Sequence, residues 1–253
     1  MAAARRFMRA PFRRGCTSSQ AKKVHMQPLS NSSIPPSIAG TVYGVVLNDS
    51  DSLERIGAQL PAPPYKGAPK SPVLYIKPRT TFLAGGTVEL PQDAMALEIG
   101  ATIGLVIGAP AGRLRAEEAL AVIGGYVVVA DLSLPHASYY RPAIREKCFD
   151  GSCVIGSMIG AAQALATPDA LRIETHVNGE KVDSWSLDSL VRTVPELLRD
   201  VTEFMTLRRG DMLLVGVKWQ APQAGAGERV RVGATGAGAI EFDIAANREG
   251  ALA

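Results

Sequence analysis

The sequence predicts one mixed, mainly β domain with a few helices. Short apolar segments bounded by turn residues recur along the chain, which contains 25 glycines and 17 prolines in 253 residues. Long stretches with helical periodicity are few. Hydrophobic residues make up 47% and charged residues 20%, as in ordinary folded proteins. We therefore expect about nine or ten strands and two or three helices.

Strands are predicted where short apolar or alternating segments end at turn residues. Gly85-Gly86 indicates a hairpin-like turn, and Asn178-Gly179 is a strong signal for a tight hairpin. A polar stretch, 48–52, follows the first predicted strand, and the proline-rich segment 61–69 is expected to be a long loop. The predicted strands are Thr41–Leu47, Val73–Lys77, Val88–Leu90, Ala96–Ile107, Tyr126–Leu132, Leu171–Val177 and Met212–Val217.

Two helices are predicted from the spacing of apolar residues and from stop signals. Arg115–Ile123 fits a short helix that ends at Gly124. Asp188–Met205 carries an apolar stripe at helical spacing. Pro195 lies inside this stretch, so the helix either kinks there or a second helix begins at that residue.

The segment Ala96–Ile107 is the clearest strand. Its odd-numbered residues form an apolar face, and its even-numbered residues form a face of small side chains with one carboxylate, Glu98. Small side chains leave room beside a strand. We therefore expect a cleft or a second backbone next to this face.

Residues 1–37 differ in composition from the rest and are expected to form a basic, disordered N-terminal tail. Residues 1–25 carry seven basic residues and no acidic one, which is typical of a transit peptide and also compatible with a start placed too early, ahead of Met26. The remaining residues contain 20 basic and 24 acidic side chains. The single domain expected over residues 38–253 is therefore mildly acidic.

This composition excludes several classes of partner. An acidic domain lacks the basic field that recruits nucleic acid. The uncharged apolar stretches at 99–112 and 119–130 contain glycines and are shorter than the roughly 18 residues of a membrane helix, so no membrane association is expected. Three cysteines do not make a disulfide framework, which favours a reducing compartment, the cytoplasm.

Charged and aromatic side chains are concentrated in residues 131–151, directly after a predicted buried strand. Ligand sites are often built on such loops. Asp131 is a candidate metal ligand or helix cap, and Arg141, Arg145 and Lys147 are candidates to bind carboxylates. The alternative is a solvated loop with local ion pairs. The chain has no phosphate-binding loop, no GxSxG motif and no two histidines at metal-ligand spacing.

Several short motifs also follow one another in a fixed order. They are Tyr65-Lys66, Ile76-Lys77-Pro78-Arg79-Thr80, Gly125-Tyr126, Asp131-Leu132-Ser133-Leu134-Pro135, Tyr140-Arg141-Pro142, Lys147, Asp150-Gly151, Asn178-Gly179 and Gly210-Asp211. This order resembles the fumarylacetoacetate hydrolase superfamily over about residues 40–245. Within it, the sequence is most similar to the N-terminal half of the isomerase/decarboxylases of homoprotocatechuate (4-hydroxyphenylacetate) degradation.

The resemblance implies a mixed β-sandwich roll that dimerises. It also implies a divalent metal, usually Mg²⁺ with Mn²⁺ as the alternative, held by a Glu-x-Glu pair and one aspartate. Such a metal chelates an anionic 2-oxo or 2-hydroxy acid and stabilises its enolate. Asp131 takes the position of the aspartate ligand and Lys147 that of the active-site lysine. The other residues assigned by the resemblance are Arg141 as catalytic, and Lys77, Arg145 and Tyr140 as substrate-binding.

The sequence departs from this pattern at the metal. The resemblance places the two glutamates at Gly100 and Thr102, and neither offers a carboxylate. Glu98 lies two residues before Gly100 on the same strand face, so it is the candidate second ligand beside Asp131. The alternative for Glu98 is an edge carboxylate that faces solvent. Asp131 alone is expected to hold Mg²⁺ poorly, because hard dications bind to several charged oxygens.

Three functions follow as hypotheses. The first is a subunit of the isomerase/decarboxylase whose intact metal site lies on a paralogous chain, so that the assembly is a heterodimer. The second is a self-sufficient isomerase, decarboxylase or acylpyruvate-type C–C hydrolase, working as a homodimer. The third is a non-catalytic scaffold on the same fold.

The histidine that the family carries on a catalytic loop is missing from residues 50–53, and Gly-Thr-Pro is replaced at residues 216–218.

Overall fold

This computed structural model describes residues 38–140, 143–161 and 171–247. These residues contain thirteen strands, which form two sheets. The strands are β1 (Val42–Val46), β2 (Val73–Lys77), β3 (Phe82–Leu83), β4 (Gly86–Glu89), β5 (Ala96–Ile107), β6 (Ile123–Ser133), β7 (Cys153–Gly160), β8 (Arg172–Val177), β9 (Glu180–Ser186), β10 (Met212–Leu214), β11 (Gln223–Gly225), β12 (Arg229–Ala234) and β13 (Gly238–Ala245). The first sheet has the order β2-β1-β10-β5-β6-β7-β3, with β11 paired to the start of β5. The second has the order β4-β13-β12-β8-β9. The mainly β prediction is confirmed.

Helices in the described residues are short. The α-helices are α1 (Ser50–Ile56), α2 (Ile144–Lys147) and α3 (Val194–Phe204), and 3₁₀ turns lie at Arg79–Thr81, Ala116–Val122 and Leu187–Ser189. Within the same ranges, no helix combines the length and the apolar character needed to cross a membrane.

The antiparallel pair β5–β6 forms the centre of the first sheet and positions the site. The odd-numbered residues of β5 lie in the main core, where Ile103 and Leu105 share one hydrophobic cluster with Val230 and Phe242 of the second sheet. This confirms the apolar face predicted for the strand. The even-numbered face is also buried, and its Gly100 lies opposite Asp131 in the β5–β6 register.

The predicted hairpin-like turn at Gly85-Gly86 is wrong. β3 pairs with β7 in the first sheet, whereas β4 pairs with β13 in the second, so the two glycines carry the chain between sheets. Both have positive φ, 91° and 97°, which glycine adopts without steric cost. The predicted hairpin at Asn178-Gly179 is confirmed, with φ of 51° and 85° between β8 and β9.

The short helix predicted to end at Gly124 is a 3₁₀ turn, Ala116–Val122, and Gly124 belongs to β6. A Cβ on Gly124 would lie 2.9 Å from the Cα of Gly108, so the two backbones approach each other closely at this end of the β5–β6 pair. Glycine at position 124 therefore serves strand packing and not a helix stop.

The long helix predicted over Asp188–Met205 is divided. A 3₁₀ turn at Leu187–Ser189 comes first, and α3 begins at Val194 with Pro195 in its first turn, where a missing N–H costs no hydrogen bond. Thr193 and Glu196 cap this start reciprocally. The alternative of a second helix beginning at Pro195 is thus the correct one, within one residue.

The polar stretch 48–52 contains the start of helix α1. The side chain of Asp49 accepts a hydrogen bond from the backbone N–H of Ser52 at 2.8 Å, which is a helix N-cap. Short polar side chains are the ones that such a helix start requires.

Candidate active site

A buried aspartate between two lysines forms the centre of the candidate site. Asp131, on β6, is fully buried. Its Oδ1 lies 2.6 Å from the Nζ of Lys77 and its Oδ2 lies 2.8 Å from the Nζ of Lys147. The hydroxyl of Tyr75 donates a hydrogen bond to Oδ2. Burial raises the pKa of the Asp131 carboxyl, but the ammonium groups of Lys147 and Lys77 outweigh it and hold the pKa below its ordinary value.

Lys77 is held entirely by the protein. Its Nζ donates to the carbonyls of Leu132 and Ser152, both at 3.0 Å, and to the carbonyl of Lys147. The hydroxyl of Ser152 lies 3.2 Å away. An ammonium group has three protons, so these acceptors and Asp131 use its donor capacity fully. Lys77 is therefore placed to fix Asp131 and the backbone at residues 132, 147 and 152, and its role in substrate binding stays a prediction.

Lys147 ends helix α2, and its side chain is 4% exposed. Its Nζ lies 4.6 Å from the centre of the Tyr75 ring. Burial lowers the pKa of Lys147, the nearby charge of Lys77 lowers it further, and Asp131 opposes both; the net shift is downward from the ordinary lysine value. Burial thus disfavours the charged form of Lys147, and Asp131 is the counter-charge that favours it.

A cavity of about 390 Å³ opens beside Lys147. Its walls are mostly apolar, and Lys147 is the charged side chain among its described lining residues. Tyr140, which was predicted to bind substrate, also lines it. The lining residues are Val46, Val73, Leu74, Tyr75, Ile76, Tyr139, Tyr140, Ala143, Ile144, Lys147 and Cys148.

One of the other predicted residues, Arg145, lies elsewhere. Arg145 lines a separate depression of about 280 Å³ with Met95, Leu134 and Gln223, so it does not share the cavity of Lys147. Arg141 lies outside the described residues.

Glu98 is buried and 5% exposed, so the alternative of a solvent-facing carboxylate is wrong. It accepts a long hydrogen bond from the hydroxyl of Ser133 at 3.4 Å. Burial raises the pKa of Glu98 to about 7, against the opposing charge of Lys147.

The residues at the centre do not fit a divalent metal. A Cβ on Gly100 would lie 2.5 Å from the carbonyl oxygen of Asp131 and 3.1 Å from a methyl group of Val217, so the space of the missing glutamate is filled. The hydroxyl of Thr102 is buried without a hydrogen-bond partner in the described chain. No group of three His, Cys, Asp or Glu side chains within those ranges is placed to hold a metal. Two ammonium groups already pair with the remaining aspartate.

Sequence reasoning missed Tyr75, although a signal for it existed. Tyr75 and Lys77 are two residues apart on one strand and therefore share a face. In the β1–β2 register Tyr75 lies opposite Gly44, and a Cβ at position 44 would overlap the Tyr75 ring. The pair of a glycine and a large aromatic across two strands makes room for the ring beneath Asp131.

Tyr139 and His136 were missed as well. The rings of His136 and Tyr139 meet edge to face at 5.1 Å. The Nδ1 of His136 lies at hydrogen-bond distance, 3.0 Å, from the carbonyl oxygen of Leu134. Its buried Nε2 has no hydrogen-bond partner in the described part of the chain. Burial lowers the pKa of His136, which keeps the ring neutral at pH 7. Burial and the charges of Glu98 and Asp131 raise the pKa of Tyr139.

The chain is similar in sequence to known proteins over most of its length. Residues 41–245 match the fumarylacetoacetate (FAA) hydrolase C-terminal family. Over 211 aligned residues the chain is 39% identical to the 4-hydroxyphenylacetate degradation bifunctional isomerase/decarboxylase of Escherichia coli. The aligned region covers 83% of this chain and 48% of that protein. The chain therefore spans about half the length of this relative.

Solved structures share the fold. The 5-carboxymethyl-2-hydroxymuconate delta-isomerase of Mycobacterium smegmatis has a TM-score of 0.69 and 24% identity, covering 84% of this chain and 81% of its own. The fumarylpyruvate hydrolase of Pseudomonas aeruginosa, solved with Mn²⁺ and pyruvate, has a TM-score of 0.71 and 22% identity, covering 82% and 90%. The resemblance seen in the motifs is confirmed by a match over most of the domain, and the chain belongs to the fumarylacetoacetate hydrolase family.

Proposed function

We propose that this chain is a subunit of an isomerase/decarboxylase of 4-hydroxyphenylacetate degradation and lacks a divalent-metal site of its own. The proposed substrates are 2-oxo and 2-hydroxy-diene dicarboxylates, whose isomerisation and decarboxylation both pass through an enolate. The support is 39% identity to a bifunctional relative of which the chain spans about half. The proposed partner is a paralogous chain that carries the Glu-x-Glu pair, and the proposed compartment is the cytoplasm.

One observation carries the proposal: both oxygens of Asp131 are paired with buried ammonium groups, at 2.6 Å and 2.8 Å. A carboxylate in this state has little charge left for a dication, and the neighbouring Gly100 cannot be replaced by a glutamate without moving Val217 and the Asp131 backbone. Metal-assisted enolate stabilisation is therefore assigned to the partner. In this chain Lys77 orients Asp131, and Lys147 presents a cation to the cavity.

A self-sufficient enzyme, assembled as a homodimer, is the second candidate. The observation that favours it is the cavity of about 390 Å³, with Lys147 and three tyrosines in its wall. A pure scaffold would have no need for an open cavity beside a buried cation.

A calorimetric titration of Mg²⁺ or Mn²⁺ into the purified chain, with 2-oxoglutarate present, tests the proposal. We expect no saturable binding up to millimolar metal. Saturable binding at micromolar metal that is lost in Asp131→Ala and kept in Asp243→Ala, a control in an exposed ion pair, would overturn the proposal in favour of the self-sufficient enzyme.

The second arm uses a paralogous chain with Glu-x-Glu from the same genome. We expect the two chains to co-purify and the mixture to isomerise the diene substrate faster than the paralogue alone, as followed by ultraviolet absorbance. No association and no gain in rate would contradict the proposed pairing.

A further inference from the structure

The cluster around Asp131 places two buried lysines on one fully buried aspartate. The ammonium groups of Lys77 and Lys147 share its carboxylate, at 2.6 Å and 2.8 Å. A charged group in a protein interior is stabilised by each counter-charge and each acceptor that reaches it. A lysine of this cluster that faces open space would therefore be stabilised further by an anion.

Lys147 is the group that such an anion can reach. The ammonium of Lys77 is surrounded by Asp131, backbone carbonyls and Ser152, and Lys77 does not line the cavity. Lys147 lines it, and in the described chain its Nζ donates one hydrogen bond, to Asp131. Since an ammonium group has three donors, Lys147 can bond a second oxygen without giving up Asp131.

The walls of the cavity restrict what is attached to that oxygen. Val73 and Ile76 from β2 and Ile144 from α2 are apolar, and the rings of Tyr139 and Tyr140 add flat surface. Among the described lining residues there is no second cation. A second carboxylate on the ligand would lose its hydration where it lies against these apolar walls, whereas an apolar or aromatic group would be stabilised there.

We propose that this cavity binds, without metal, a monocarboxylic acid with an apolar body, its carboxylate on Lys147 and its body against Val73, Ile76 and Ile144. The site is independent of the proposed metal-carrying partner, because every residue that it uses lies in this chain. Its ligand differs from the dicarboxylate substrates proposed above by having one charge instead of two.

Calorimetry on the purified chain in excess EDTA tests this, with 3-phenylpropanoate as the probe. The comparison ligands are 3-phenylpropanamide, which has the same body without charge, and glutarate, which has two carboxylates. We expect 3-phenylpropanoate to bind with submillimolar affinity, and each comparison ligand to bind at least about tenfold more weakly.

Variants then locate the site. Lys147→Met should weaken binding of 3-phenylpropanoate at least about tenfold. Lys181→Met, which removes a lysine from an exposed ion pair with Glu174, should leave it unchanged. If Lys147→Met does not fold, Ile144→Glu serves instead: Ile144 is 59% exposed, so the variant should fold, and the new carboxylate should repel the probe.

Three results would overturn the proposal. They are no binding of 3-phenylpropanoate at 10 mM, equal binding of its amide, and equal binding to wild type and Ile144→Glu. None of them bears on the proposed pairing, which is decided by metal titration and by co-purification with the paralogue.

Discussion

Replacing Lys77 by methionine tests whether the buried charge cluster stabilises the fold. Methionine has nearly the length of the lysine side chain and is apolar, so the change removes the ammonium group with little change in packing volume. It leaves Asp131 fully buried with Lys147 and Tyr75 as partners. We expect a folded but clearly less stable protein.

The magnitude follows from the contacts that are lost. Breaking a buried ion pair costs about 3–5 kcal/mol, because one charge is left without its partner. Here Lys147 still compensates Asp131, and the carbonyl of Ser152 keeps a hydrogen bond from the backbone N–H of Leu132, so the low end applies. We expect a loss of about 3 kcal/mol, which is a large fraction of the stability of a typical domain.

Urea unfolding, followed by the fluorescence of the two buried tryptophans, Trp185 and Trp219, measures this loss. The matched control is Lys181→Met, whose ion pair with Glu174 is exposed and 3.5 Å long and is therefore worth at most about 1 kcal/mol. If Lys77→Met lost no more stability than this control at equal m-value, the cluster would not be a stabilising element and the positioning role of Lys77 would be refuted.

Three further predictions concern the same region. The pKa of Glu98 is raised from 4.5 to about 7, so between these pH values the native state holds a proton that the unfolded state has lost. The free energy of unfolding should therefore fall by at most about 3 kcal/mol as pH rises from 4.5 to 7. Glu98→Gln should remove that part of the pH dependence from urea unfolding midpoints measured between pH 4 and 8. Gly100→Ala should destabilise the chain by about 2 kcal/mol, because its Cβ would meet the Asp131 carbonyl at 2.5 Å, and an unchanged unfolding midpoint would contradict the filled site. EDTA, Mg²⁺ or Mn²⁺ at millimolar concentration should shift the melting temperature of the chain alone by less than about 1 °C, whereas a shift of several degrees would show that a metal binds the native state.

Local sequence patterns predicted five of the eight strands of the first sheet, and missed β3, β7 and β11. β2 and β5 have the predicted bounds, because alternation and flanking turn residues are local properties of the chain. The path between sheets was not predictable in the same way. A Gly-Gly pair at positive φ suits a hairpin and a crossover equally, and the choice depends on β13, which lies about 150 residues further along the chain.

The candidate site was predictable in its members more than in their roles. Asp131 and Lys147 lie 16 residues apart in one segment, and their pairing is consistent with the cluster seen in sequence. Lys77 was assigned to the substrate from the resemblance, whereas its burial against Asp131 is seen in the structure alone. That burial depends on the position of β2 beside the chain at residues 132–152, which no local pattern encodes.

The replacements at Gly100 and Thr102 make electrostatic sense when they are considered together with the metal. In the pattern implied by the resemblance, a dication, three carboxylates and the lysines at positions 77 and 147 sum to one positive charge. In this chain Asp131 and the same two lysines, counted without the partly protonated Glu98, also sum to one positive charge. Loss of the glutamates alone would have left a bound dication beside two ammonium groups, which repel it. Loss of the glutamates and the dication together keeps the charge that an anionic ligand meets. The cavity can therefore retain affinity for a carboxylate after the metal chemistry has gone, which is why metal binding and acid binding by this chain have to be measured separately.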